Sequence, residues 1–273
     1  YPTHGAGSFC SAPVSAERVT TIGHERMSNR LALARSEEDF IHEAMRGLPA
    51  YPVYYKYMRS INQHGAKILG GVPSVKPLPI DEVKEWLAQG GAVLDVRPPK
   101  MLQQGFIPNS YCITLEAPLI AWAGWLIPFG TPLVLIATDA AEREAAVRQL
   151  MRIGYDDVSG YLDGGFAAWE KQNFQIEQMN VVEVDSLHEE MQSGNSPILL
   201  DVRHAAEFEA GHIRGARHIE NGDLPYIDLD LPYDQPVAMH CRIHDRATAA
   251  YSILRRRGYK NLVLMDGGFN AWE

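Results

Sequence analysis

Cysteine is scarce in this chain. Three residues in 273, Cys10, Cys112 and Cys241, are too few for a disulfide framework and are not spaced as metal ligands. Their odd number fits a reducing compartment, where a free thiol stays free, so the cytoplasm is the expected location. Positive charge is also short. Lys and Arg total 25 against 34 Asp and Glu, and the formal charge of −9 leaves no electrostatic footprint for nucleic acid or an anionic membrane. No apolar run reaches membrane-spanning length, and the N-terminus lacks the charged-then-apolar layout of a secretory signal. Methionine does not open the chain; Tyr1 does, which suggests a piece of a longer protein. Apolar residues, by contrast, make up 46%, and 273 residues allow two domains or more with packed cores.

The clearest organisation is an internal repeat. Leu94-Asp-Val-Arg97 recurs as Leu200-Asp-Val-Arg203, and Gly105-Phe-Ile107 as Gly211-His-Ile213. Leu162-Asp-Gly-Gly-Phe-Ala-Ala-Trp169 recurs as Met265-Asp-Gly-Gly-Phe-Asn-Ala-Trp272. The offsets of 106, 106 and 103 residues make each copy one small domain. In each copy a helix (81–89, then 186–192) precedes an apolar strand (92–96, then 198–202). A central strand (133–137, then 237–240), a helix ending at Gly154 or Gly258 and a further strand (158–162, then 262–265) follow. Strands alternating with helices predict a parallel sheet covered on both faces, with ligands at its carboxyl edge. Ser186 with Glu189 has the form of a capping box. The Asp-Gly-Gly turns call for positive φ, and the aromatic residues after them are expected to anchor the core.

The chemistry converges on Pro236-Val-Ala-Met-His-Cys241-Arg-Ile-His-Asp-Arg246-Ala247. An apolar strand here gives way to a tight loop and a helix, so backbone N–H groups without intrahelical partners surround the loop. With the helix dipole they favour an anion, and the thiol of Cys241 is expected to have a depressed pKa. Arg242 and Arg246 add charge of the same sign. The first copy differs here. Ala137 and Cys241 stand the same 17 residues before Gly154 and Gly258, and Glu142 stands where Arg246 closes the second loop. An acidic loop without a nucleophile is expected to repel a sulfonate-like anion. Cys112 aligns with Arg217 and His218, in a segment remote from the loop.

A six-residue loop led by cysteine and closed by arginine, with the Leu200-Asp-Val-Arg203, Glu207–Ala216 and Met265–Trp272 motifs in order, resembles a rhodanese (sulfurtransferase) domain. The resemblance implies an α/β fold of two tandem rhodanese-like domains, each a parallel sheet with helices on both faces. It implies a persulfide on Cys241, exchanged between a donor such as thiosulfate or glutathione persulfide and a thiol acceptor. Backbone N–H groups of Arg242, Ile243, His244, Asp245, Arg246 and Ala247 would cradle the sulfur. Arg246 would face the loop's mouth or brace it through a carboxylate. Asp201 and Arg203 resemble the family's loop-supporting pair, and an equal reading makes them a structural salt bridge. His244 departs from the family, which often has glycine there; it suits a positive φ or a proton donor. No cofactor or metal ligand is expected in these domains, and a homo-oligomer is left open.

Residues 1–72 read differently from 73–178 and 179–273. Tyr1-Pro-Thr-His4-Gly, Thr21–Arg26 and Glu38-Asp-Phe40 resemble the C-terminal remnant of a metallo-β-lactamase-like αββα domain, as in persulfide dioxygenases fused to rhodanese domains. Fe(II) or zinc would then belong to a portion upstream of Tyr1, and His4, His24, His42 and His64 make no convincing metal triad. A helix over 36–46, capped by Ser36, should turn Phe40, Ile41 and Met45 to a core, and a second is expected over 54–62. The proline-punctuated stretch 72–79 reads as a linker. Two rival functions stand beside sulfur transfer. One is a non-catalytic binding or scaffold module. The other is a cysteine-dependent phosphatase, against which stand only four residues between Cys241 and Arg246.

Overall fold

The computed structural model describes residues 19–45, 51–116, 119–193 and 196–273. The chain divides into two units, 1–51 and 52–273. His4 and Cys10 lie outside the described residues. The first unit contains two short helices, α1 (Ile22–Ser28) and α2 (Glu37–Met45). Thr21 Oγ1 accepts from His24 N–H and starts α1; Ser36 Oγ accepts from Asp39 N–H and starts α2, as expected. Phe40, Ile41 and Met45, expected to face a core, are instead exposed. Their stripe is amphipathic, but two helices this short cannot bury it between themselves.

The second unit opens with α3 (Tyr55–His64) and then says the same thing twice. The first repeat comprises β1 (Pro77–Leu78), α4 (Ile80–Ala88), β2 (Ala92–Asp95), α5 (Pro99–Gln104) and β3 (Tyr111–Cys112). It continues with α6 (Leu119–Leu126), β4 (Leu133–Ile136), α7 (Ala140–Met151), β5 (Val158–Leu162) and α8 (Gly165–Lys171). The second repeat comprises β6 (Val181–Val182), α9 (Val184–Gln192), β7 (Ile198–Asp201), α10 (Ala205–Ala210) and β8 (Arg217–His218). It ends with β9 (Val237–His240), α11 (Asp245–Arg256), β10 (Leu262–Met265) and α12 (Gly268–Trp272). Strand order is β1-β5-β4-β2-β3 in one sheet and β6-β10-β9-β7-β8 in the other, all pairs parallel. The α/β architecture read from the repeat is therefore correct, down to the two central strands β4 and β9.

Several local expectations need correction. The stretch 72–79 is not all linker: Pro77 and Leu78 pair with Tyr161 and Leu162 at the sheet edge, where a missing N–H is tolerated. Ser186 caps nothing. The helix starts two residues earlier, with Glu183 at its N-cap, so Ser186 lies inside its first turn. The Asp-Gly-Gly turns do hold φ near +60 to +70° at Gly164, Gly165, Gly267 and Gly268. Trp169 is buried, but Phe166 and Phe269 are only partly so. Each Phe instead lies under a guanidinium, Arg97 at 4.0 Å and Arg203 at 3.8 Å from the ring centroid.

Helix α11 ties the repeats together. Eight consecutive residues, Ala247 to Leu254, are buried, so the helix is covered on every side. It packs on β9 and β10 of its own sheet and on β3 and α5 of the first repeat. Ser252 Oγ accepts from Cys112 N–H, Tyr251 meets Phe106 edge-on, and Arg255 pairs with Glu177 at 2.6 Å. One apolar cluster consequently contains Leu94 and Leu135 together with Leu200, Met239 and Leu254. The small side chains at Ala247, Ala249 and Ala250 permit this double-sided contact.

Candidate active site

Parallel register brings the chemistry to one edge. Asp201 lies opposite His240, so the last residues of β7 and β9 meet where the chain turns into the loop from Cys241. Cys241 is 2% exposed and lines a cavity of about 380 Å³ together with Arg242, Ile243, His244, Asp245 and Arg246. Ala247 is buried beneath them. Loop carbonyls are held away from the sulfur by α12: Phe269 N–H donates to Cys241 O at 2.8 Å and Asn270 N–H to Arg242 O at 3.1 Å. A Cβ on Gly268 would stand 2.5–2.8 Å from backbone atoms of Ile243, Cys241 and Arg242, so only glycine lets α12 seat there.

With the carbonyls turned out, the amides turn in. The N–H groups of Ala247, Ile243 and Arg246 hydrogen-bond the Cys241 sulfur. These bonds and the Arg246 charge pull its pKa down, but burial is the larger effect and pushes the free thiol up. The expected depression is thus not met. His240, directly behind the cysteine, is fully buried; burial lowers its pKa and keeps it neutral, opposed by Asp201, whose Oδ2 is 3.7 Å from Nε2. His244 caps α11 at φ −151°, so the positive φ suggested for it does not occur.

Arg246 braces the loop rather than standing free. Its Nη1 and Nη2 reach Glu207 Oε2 at 2.5 Å and Oε1 at 2.9 Å, a bidentate pair that holds the Glu207 carboxyl down to about 2. Glu207 also accepts from His204 N–H, so α10 and the loop are joined at the helix's first turn. His204 Nδ1 pairs with Glu220 at 3.0 Å, and its ring stacks on Trp122 of the first repeat, which also lines the cavity. Sequence reading assigned no role to Glu207, His204, Trp122 or His240. One signal was available for Glu207: where Arg246 becomes Glu142, Glu207 becomes Met101, so both charges of the pair change together between copies.

Asp201 and Arg203 form a buried bidentate pair, with guanidinium contacts of 2.6–3.0 Å and a further bond from Arg203 to Gly211 O. Asp95 and Arg97 repeat this geometry in the first copy, down to the bond to Gly105 O. The first loop itself is closed. Glu142 Oε2 accepts from Thr138 N–H at 2.8 Å, and Asp139 Oδ1 accepts from Glu142 N–H at 2.8 Å. Two acidic side chains thus occupy two of the loop's amides, those of Thr138 and Glu142. Cys112 is fully buried on β3, and burial raises its thiol well above the ordinary value. Among the described residues no group of three or more His, Cys, Asp or Glu is placed to hold a metal ion, and no helix is long and apolar enough to cross a membrane.

A sequence model of the rhodanese-like domain matches residues 79–172 and again 183–273. The thiosulfate sulfurtransferase GlpE of Pseudoalteromonas translucida is 32% identical over 76 residues, 28% of this chain and 72% of that protein. Among solved structures, a rhodanese-related protein of Thermoplasma volcanium is 27% identical with a TM-score of 0.31, over 34% of this chain and 89% of that one. A thiosulfate sulfurtransferase of Pseudomonas aeruginosa is 16% identical with a TM-score of 0.34, over 72% of this chain and 42% of that one.

Proposed function

Because the chain belongs to the rhodanese-like domain family, we propose that it is a sulfurtransferase in which Cys241 carries sulfane sulfur as a persulfide. The Cys241 thiolate attacks the outer sulfur of thiosulfate, the donor's S–S bond breaks, and sulfite leaves with the bonding electrons. Cys241 is then a persulfide. Glutathione persulfide loads the site in the same way, releasing glutathione thiolate. An acceptor thiolate attacks the outer sulfur in turn, forms its own persulfide and releases the Cys241 thiolate.

The observation that carries this reading is the set of three amides, from Ile243, Arg246 and Ala247, on one buried sulfur. They are preorganised for negative charge on the added sulfur and need no rearrangement when it forms. Arg242, exposed at the rim and without an ion-pair partner among the described residues, attracts the anionic donor. Arg246 and Glu207 hold the loop's shape, and Asp201 with Arg203 holds the strand end beneath it. A thiosulfate sulfurtransferase among the relatives supports thiosulfate as one donor. The domains carrying these roles are 73–178, non-catalytic, and 179–273, catalytic, in a cytoplasmic protein.

The resemblance of residues 1–72 extends the reading to a persulfide dioxygenase–rhodanese protein, whose iron domain would supply the oxidation of a low-molecular-weight persulfide by dioxygen. Incubation with thiosulfate or glutathione persulfide followed by intact mass measurement tests the transferase step. One added sulfur, abolished by Cys241→Ala, is expected. No gain with either donor favours a scaffold. Phosphate release from an aryl phosphate, lost in Cys241→Ser, favours a phosphatase.

A further inference from the structure

The cavity in front of Cys241 is not made by the second repeat alone. Helix α6 of the first repeat has the sequence Leu-Ile-Ala-Trp-Ala-Gly-Trp-Leu, with no charged residue, and its two tryptophans lean across the boundary. Trp125 lies flat against Gly222, so closely that a Cβ there would collide with the indole. Trp122, one turn earlier, is 8% exposed, and what it exposes lines the cavity. Its ring runs nearly parallel to that of His204, 19° off with centroids 5.9 Å apart. Glu220 holds His204 in place from the other side and accepts from Ala205 N–H as well. Ile243, 45% exposed, supplies a second apolar surface on the same cavity.

A site built only for thiosulfate has no use for these walls. Thiosulfate has about five heavy atoms and no apolar part, whereas 380 Å³ lies in the range of sites for organic ligands. The Arg246 charge is also spent inside the protein, on Glu207, and Glu220 is engaged by His204. Arg242 and Asp245 remain, one of each sign, as an ammonium-and-carboxylate thiol would require.

We infer that the first repeat, which has no nucleophile, supplies the specificity wall of the site, with Trp122 and Ile243 packing on the organic body of a low-molecular-weight thiol. The inference rests on the sulfurtransferase reading above. Binding places the thiol's sulfur in line with the outer persulfide sulfur. Attack forms the new S–S bond and breaks the one to Cys241, whose thiolate leaves. An inorganic acceptor such as cyanide reaches the same sulfur without touching either wall.

The test compares two acceptors on the full chain, glutathione and cyanide, after loading with thiosulfate. Loading of the wild type is read first by intact mass. Trp122→Ala is expected to lower the ratio of kcat/KM for glutathione over that for cyanide by about tenfold, the scale of one lost apolar contact. Trp122→Phe, which keeps a ring, should recover most of the ratio. Ile243→Ser, at an exposed position where unfolding is not at issue, should lower it in the same direction. Unchanged ratios in Trp122→Ala and Ile243→Ser, with the wild type loading normally, would overturn the specificity role alone. A wild type that gains no sulfur would overturn the transferase reading on which it rests.

Discussion

Replacing Arg97 and Arg203 in turn with methionine separates architecture from chemistry, because the two repeats are controls for one another. Asp95 and Asp201 have no exposed surface. Each takes three guanidinium contacts within 3.1 Å and one backbone N–H, from Arg97 or Arg203 itself. Methionine removes the guanidinium, and with it the contact over Phe166 or Phe269, and leaves a buried carboxylate whose remaining hydrogen bond is the amide. Breaking a buried pair on one side costs about 3–5 kcal/mol. For a chain of this size that corresponds to a fall in Tm of roughly 6–20 °C. Burial already pushes the Asp95 carboxyl up against the pull of Arg97, so without the guanidinium it rises further. A carboxyl with a raised folded pKa penalises the fold above that pKa, and the penalty disappears below the unfolded value of about 4. The loss in Arg97→Met should therefore be larger at pH 8 than at pH 5. Thermal unfolding at the two pH values, with sulfur loading measured well below the transition, checks the reasoning. Changes under about 1 kcal/mol would refute the energetics. Arg203→Met that stays folded yet cannot load, beside an Arg97→Met that can, would move Arg203 into the chemistry.

Two further outcomes follow from the site. Burial raises the free Cys241 thiol, so loading from thiosulfate should accelerate with pH through neutrality, about tenfold per unit until that pKa is passed; a flat profile by timed intact mass would show that the thiolate is already formed. Glu207→Gln removes a carboxylate held near 2 by Arg246 and leaves that guanidinium uncompensated. Stability at pH 7 should fall by about 1 kcal/mol, discounted for solvent screening, and the thiosulfate KM should fall at low salt and return toward the wild-type value at high salt, as steady-state assays at two ionic strengths would read.

The repeat was legible because short-range patterns carried it. Leu-Asp-Val-Arg and Asp-Gly-Gly recur at fixed offsets, and short apolar runs marked β4, β7 and β9 within a residue. That Cys241, Arg242 and Arg246 line one cavity was legible for the same reason, since they share one loop. What was not legible depends on approach between distant segments. Glu207 meets Arg246 across 39 residues, and Trp122 reaches His204 across the boundary between repeats. The sign of the Cys241 shift was misread because loop amides can be inferred locally, whereas burial under neighbouring elements cannot. Phe40 and Met45 failed in the opposite way: a local stripe promised a core that the described part of their unit does not provide.

Helix α11 is at once the floor of the reactive loop and the seam of the molecule. Severing the chain between its halves would therefore uncover a greasy rod at the base of the sulfur site, and the reactive half would be expected to clump or sag rather than work alone. The first repeat, whose own loop Glu142 closes, would then matter for what it covers.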